Sequence, residues 1–329
     1  MPEPGGAMPR YVIFYDSFQE GMWFKALHPD LAGSVLKPFT EVPDGIKHTV
    51  LAYDRPDIVL ADGDEPILVV ERTVEVPSGH NVGQRFARLA AAAQHRIPTV
   101  YFGPYSAYKH GGATQGPRYM NLRLFMAIDD MNTIEDASVV TIRWPIDKDF
   151  EIIQTPEKDD RMREYLILFF RLYKSHGVPG MTSVLADQAF VAEQDAEEAH
   201  FIAREVANPD QYKVPPNSVE IGPPSAMACL KGVAHNLDPR VDVLVYNVGM
   251  RQIRSDPYTG MAILYAYLYS GGMRKEERKV KLVLWFPHIS LETWRAASAR
   301  TPHAKQIRLY RDVADGIVFV DKYVPSPDF

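Results

Sequence analysis

The first apolar run, Tyr11 to Tyr15, has the length and β-type composition of a strand. Ser17 to Leu27 then follows with Ser17 placed to cap a helix and apolar residues at helical spacing. Two β-branched runs come next, Asp57 to Ala61 and Ile67 to Val74, separated by Asp62, Gly63, Asp64, Glu65 and Pro66. Apolar runs flanking a polar link with Gly and Pro predict an antiparallel hairpin. After the turn at Pro77 to Asn81, the Ala- and Leu-rich stretch from Val82 to His95 predicts a helix, and Ile97 to Phe102 a strand. Further along, the pattern predicts strands at Val139–Trp144, Val241–Val248, Val280–Phe286 and, last, Gly316–Val320. Helices are predicted at Asp160–Ser175, Leu185–Val206 and Pro257–Tyr269, with a loop rich in Pro and Asn from Asn208 to Pro224. The chain is thus expected to be α/β.

With 329 residues and no internal repeat, one large domain or two smaller ones are possible. No apolar stretch reaches the length of a membrane span, and Met1 to Arg10 lacks the apolar run of a signal peptide, so a cytoplasmic protein is expected. The single cysteine, Cys229, excludes an internal disulfide and a cysteine-built zinc site, which directs attention to oxygen ligands. A net charge of −6 argues against nucleic-acid binding through overall positive charge but leaves room for a local basic cleft. A Gly-rich phosphate loop, a Gly-x-Ser-x-Gly elbow and a dinucleotide fingerprint are all missing, which disfavours an α/β enzyme acting on small molecules.

The hairpin carries the most suggestive chemistry. Asp57 opens its first strand behind Pro56, and Glu71 lies within the second, so antiparallel pairing can bring both carboxylates to one sheet edge. Alternation along the strand puts Glu71 and Thr73 on one face and Arg72 on the other. Two carboxylates meeting in this way suit Mg²⁺, which takes hard oxygen ligands and assists phosphodiester hydrolysis.

Pro56-Asp57, a step of fourteen residues and then Glu71-Arg72-Thr73 resemble the pattern of the PD-(D/E)XK nuclease superfamily, with Thr where Lys is usual. The segment Gly79-His80-Asn81-Val82-Gly83-Gln84-Arg85-Phe86-Ala87-Arg88, followed by Ile97-Pro98-Thr99-Val100-Tyr101, is similar to one found in a set of type II restriction endonucleases. The resemblance covers roughly residues 50 to 105. It implies a restriction-endonuclease-like core, a central mixed sheet flanked by helices, over residues 1–125. Residues 126–329 would be an α/β region that completes the fold or recognises DNA, or would continue the same domain.

It further implies an endonuclease acting on double-stranded DNA with Mg²⁺. Asp57 and Glu71 would hold the metal, with Glu20 on the first helix as an additional acidic ligand. Thr73 and Gln84 would help order the attacking water. Asn81, Arg85 and Arg88 would contact nucleic acid, as would Arg251 and Arg254 at a strand-to-helix junction in the C-terminal half. Cutting both strands of a symmetric site points to a homodimer, and a restriction role to a companion methyltransferase acting on the same site. Glu75, His80 and Lys109 are weaker candidates. The Lys/Arg cluster Arg274 to Lys281 is expected to be a solvated turn. The competing expectation is a nuclease-like fold without catalysis that binds nucleic acid, favoured by the absent Lys.

Overall fold

A computed structural model describes residues 10–108, 116–232, 237–253, 258–298 and 304–325. Lys109 and Arg254 lie outside the described residues. The strands are β1 (Tyr11–Tyr15), β2 (Val35–Pro38), β3 (Ile58–Asp62), β4 (Glu65–Arg72), β5 (Thr99–Gly103), β6 (Ser106–Ala107), β7 (Arg118–Tyr119), β8 (Val139–Arg143), β9 (Val219–Gly222), β10 (Val243–Asn247), β11 (Lys281–Trp285), β12 (Gly316–Val318) and β13 (Tyr323–Pro325). The helices are α1 (Phe18–Lys25), α2 (Asp44–Thr49), α3 (Asn81–Gln94), α4 (Leu122–Glu135), α5 (Asp160–Ala186), α6 (Ala189–Glu205), α7 (Tyr258–Tyr265), α8 (Leu291–Ser298) and α9 (Ala304–Val313). The protein is mixed α/β.

The chain divides into two compact units, each drawn from three stretches of sequence. The first comprises Met1–Val76, Arg88–Met120 and Glu135–Glu205; the second comprises Pro77–Ala87, Asn121–Ile134 and Val206–Phe329. Residue 125 falls inside α4.

In the first unit six of the described strands form a mixed sheet in the order β2-β1-β3-β4-β5-β8, and β6 pairs with β7 in a separate antiparallel ribbon. β1 pairs antiparallel with β3, and β3 with β4, whereas β4, β5 and β8 run parallel. The predicted hairpin forms with a tighter turn than its sequence suggested. Asp62 pairs with Glu65, leaving Gly63 and Asp64 as the turn, and Gly63 takes φ 62°, a left-handed conformation that glycine adopts without a Cβ penalty. Pro66 sits inside β4 opposite Ala61, where the register shifts; the irregularity accommodates a residue with no N–H to give.

One face of this sheet buries Ile58, Leu60, Leu68, Val70, Val100, Phe102 and Ile142 against α1 and α5. The other face buries Val59, Ala61 and Val69 with Ile46 of α2 and Ala92 of α3. Burying a large apolar side chain contributes roughly 1.5–3 kcal/mol, so this two-faced core holds the strand ends firmly. α1 starts as predicted: Ser17 accepts from the Glu20 N–H, and the Glu20 carboxylate accepts from the Ser17 N–H. α5 runs past its predicted end through Gly177, whose φ 66° and ψ 176° break the helical path, with Pro179 beyond it.

In the second unit the described strands order as β13-β12-β11-β10-β9, with β10, β11 and β12 parallel and the two flanking strands antiparallel. Gly316–Val320 was the last strand expected, but β13 follows it. β9 lies within the stretch expected to be loop; its four residues expose Glu220 and Ile221, so it lacks the apolar run that marks buried strands. Gly83 of α3 and Gly260 of α7 touch backbone to backbone. A Cβ on Gly83 would lie 2.3 Å from the Met261 nitrogen, so a side chain there would force the two helices apart.

Candidate carboxylate and arginine site

The antiparallel register that pairs Ile58 with Val70 carries Asp57 and Glu71 to the same edge of the first unit's sheet, where parallel β4 and β5 end. Glu71 is completely buried, and Asp57 is 7% exposed. Asp57 Oδ2 accepts from the Arg72 backbone N–H at 2.6 Å, which locks the start of β3 to the end of β4. The predicted convergence of the two carboxylates is present.

Arg88 lies between them. Its Nη1 donates to Glu71 Oε1 at 2.9 Å and stands 3.6 Å from Asp57 Oδ1, while its Nε donates to Asp54 Oδ2 at 3.3 Å. One guanidinium thus faces three carboxylates. Burial acts to lower the Arg88 pKa, but Glu71, Asp54 and Asp57 outweigh it and raise it above the ordinary value. Asp57 moves strongly: burial first, then the charges of Glu71 and Glu20, push it up to about 8 despite the opposing Arg72 N–H and Arg88. Two buried acids thus meet at an edge where burial opposes ionisation of Asp57.

Thr73 is buried on the Glu71 side of the strand, as alternation predicts, but its hydroxyl is spent locally. It donates to the Glu75 carbonyl at 3.0 Å and accepts from the Glu75 N–H at 3.1 Å, closing the turn after β4. Glu20 has its carboxylate on the Ser17 N–H and reaches Asp57 through its charge. Arg88, expected to contact nucleic acid, is occupied by the acidic residues of the site. Asn81, Gln84, Arg85 and Arg251 belong to the second unit. There, Asn81 and Arg251 are exposed, Gln84 and Arg85 half-buried, and the His80 ring lies 4.4 Å from that of Tyr258. Glu75 is exposed beyond the end of β4.

Three residues at this edge escaped the sequence analysis. Asp54 lies three residues before Asp57 in the stretch between α2 and β3, where no motif marks it. Trp23 and Trp144 bracket Arg72, with its guanidinium carbon 4.4 Å and 4.8 Å from their ring centroids. They lie 49 and 72 residues from Arg72 in sequence, and only the completed fold brings them together.

Among the described residues no group of three or more His, Cys, Asp or Glu side chains is placed to hold a metal. Two carboxylates are within the range Mg²⁺ uses, since it keeps several waters and takes its remaining ligands from substrate phosphates. Two buried carboxylates that meet at one sheet edge fit a divalent cation. Among the described residues, no helix is long and apolar enough to cross a membrane. No protein-family model, curated protein or solved structure matches the chain.

Proposed function

We propose that the protein is a Mg²⁺-dependent endonuclease of the PD-(D/E)XK type, hydrolysing phosphodiester bonds of double-stranded DNA as a sequence-specific type II restriction enzyme would. The observation that carries it is the meeting of buried Asp57 and Glu71 at the end of parallel strands. Open α/β sheets bind their ligands outside the carboxyl ends of such strands. Asp57 and Glu71 would hold the metal, which supplies positive charge for the phosphate and lowers the pKa of its water.

The chain's own residues do the rest. Arg88 fixes the Glu71 carboxylate through a charge-assisted hydrogen bond and balances part of the pair's charge. Thr73 acts by position: its two bonds to Glu75 fix the backbone directly after Glu71. Glu20 adds negative charge beside Asp57 and so favours a cation there. A homodimer and a companion methyltransferase belong to the same proposal.

A second reading is favoured by Arg88 itself. A guanidinium that already bridges both acids could be the site's permanent counter-ion, leaving a nuclease-like fold that binds nucleic acid without cutting it. The two are separated by incubating mixed-sequence duplex DNA, methylated and unmethylated, with Mg²⁺ or Mn²⁺ and the wild type, Asp57→Asn or Glu71→Gln. Discrete fragments that fall by more than about 100-fold in both variants, about 2.7 kcal/mol of barrier, support the nuclease. Binding without cleavage under every condition supports the binding module.

A further inference from the structure

We propose that Arg72, held between Trp23 and Trp144, is an anion clamp that takes a single backbone phosphate of nucleic acid beside the Asp57–Glu71 pair. It rests on the nuclease reading of that pair and adds to it the group that grips the substrate.

The arrangement is built from the ends of three parallel strands and one helix. Arg72 closes β4, its register partner Phe102 lies on β5, and Trp144 directly follows β8. Trp23 comes from α1. Phe102 stacks on Trp144 with centroids 4.8 Å apart and planes at 15°, and on Trp23 at 6.0 Å and 4°. The Trp144 indole N–H donates to the Ile153 carbonyl and the Trp23 indole N–H to Asp159 Oδ1, each at 2.9 Å. Both rings are therefore fixed in orientation before Arg72 is considered.

The guanidinium they enclose has no acceptor among the described residues. Its Nε is buried without a hydrogen-bond partner, while its two terminal nitrogens are neither buried nor bonded to protein. Burial lowers the Arg72 pKa, and Glu20, Asp159 and Asp57 counter that only through their charge. Each of those acids is bonded elsewhere: Glu20 to the Ser17 N–H, Asp159 to Trp23 and Lys158, and Asp57 Oδ2 to the Arg72 backbone. Structural arginines normally satisfy their donors. A rigidly stacked guanidinium with free outer donors instead suits a phosphate, whose oxygens accept two parallel N–H bonds.

Position adds the rest. Glu71 and Arg72 end β4 on opposite faces, but the Arg72 N–H holds Asp57 and the Asp57 charge reaches the guanidinium, so an anion on the clamp lies at the same end of the sheet as the carboxylates. The acids beside it would repel an isolated small anion. A phosphodiester that also meets a metal on Asp57 and Glu71 would be held at both points, and the clamp would supply positive charge that Thr73 cannot.

The test is binding of a fluorescein-labelled mixed-sequence DNA duplex with Ca²⁺ in place of Mg²⁺, followed by anisotropy across a salt series. Wild type, Arg72→Met and Arg72→Lys are compared. A lost phosphate contact should flatten the slope of log Kobs against log salt by about 0.9 in Arg72→Met. Its affinity should fall about 10-fold at moderate salt, one factor of ten being about 1.4 kcal/mol. Arg72→Lys should keep the wild-type slope while binding more weakly, because it retains the charge and loses the two-pronged contact. Methylphosphonates placed singly along the duplex should weaken the wild type at one phosphate and leave Arg72→Met indifferent there, a comparison that also stands if one variant folds poorly.

An unchanged slope and unchanged methylphosphonate sensitivity in Arg72→Met, or a wild type that binds no duplex, would overturn the clamp. Cleavage that depends on Asp57 and Glu71 would still leave the nuclease standing. A flattened slope with no cleavage by the wild type would leave the clamp standing and remove the nuclease.

Discussion

Each of the two larger sheets has an arginine set against acid at its margin, buried Arg278 and half-buried Arg88, and the two are satisfied in opposite ways. In the second unit, Arg278 is fully buried and donates to the carbonyls of Gly272, Met273 and Val313 as well as to Asp315 Oδ2 at 2.8 Å. Asp315 in turn accepts from the Leu282 N–H. Lys281 stands 3.6 Å from the other oxygen of Asp315, so two cations meet one acid, and neutral carbonyls complete the Arg278 set. In the first unit, Arg88 is shared among Asp54, Asp57 and Glu71, and Asp57 is left with a strongly raised pKa. Arg278 is built as a brace. The Arg88 site sets three carboxylates around one guanidinium, and a buried, strongly perturbed acid among them marks a functional site.

Removing a brace should cost most. Arg278→Met removes the fully buried guanidinium, strips three backbone carbonyls of their donor and leaves Asp315 only Lys281, so a loss of about 3–5 kcal/mol in urea unfolding is expected, and added Mg²⁺ should restore none of it. A mild effect would mean that Asp315 reaches water once Arg278 is gone, and the contrast between the two sites would shrink.

Arg88→Met should destabilise the metal-free protein by about 2–3 kcal/mol, because Glu71 and Asp57 lose their cation inside the fold. Here Mg²⁺ should recover a large part of the loss, since a divalent ion can take the place of the guanidinium between the acids. Thermal unfolding with and without Mg²⁺ measures this. Equal indifference to Mg²⁺ at Arg88 and Arg278 would make both plain braces.

The smallest effect, taken per pH unit, is in pH dependence. Asp57 has a folded pKa of about 8 against an unfolded value near 3.8, so the folded state holds a proton that the unfolded chain releases. Its contribution to stability is fully present below about pH 4 and is lost as pH rises towards 8. Unfolding free energy in metal-free buffer should therefore decline across that window, by about 1 kcal/mol for each pH unit. Asp57→Asn should flatten the decline, and an unchanged slope would place the Asp57 carboxylate in a more hydrated setting than its burial suggests.

Much of the first unit could be read from the chain because its signals are local. The apolar run of β1, Ser17 as a cap, and the β3–β4 hairpin each depend on residues a few positions apart, and strand alternation alone placed Glu71 and Thr73 on one face. The site was legible as far as the hairpin reached. The partners that complete it were not, because Arg88 reaches back 17 residues to Glu71, and Trp144 lies 72 residues beyond Arg72. Thr73 has the side expected of it, but sequence pattern could not reveal that Glu75 claims its hydroxyl.

The second unit misled in a different way. The cluster Arg274 to Lys281 has the composition of a solvated turn, yet Arg278 within it is buried. Its partner Asp315 lies 37 residues further on, and nothing near Arg278 in sequence announces the pairing. β9 and β13 are short flanking strands, the elements least marked by hydrophobic pattern.

The most direct test is Mn²⁺ binding by the intact protein, followed by electron paramagnetic resonance, for the wild type, Asp57→Asn, Glu71→Gln and, as a control, Asp315→Asn. One class of bound Mn²⁺ in the wild type and in Asp315→Asn, lost in both Asp57→Asn and Glu71→Gln, is the predicted result. The same uptake in all four proteins, or none in the wild type, would contradict a metal site at Asp57 and Glu71.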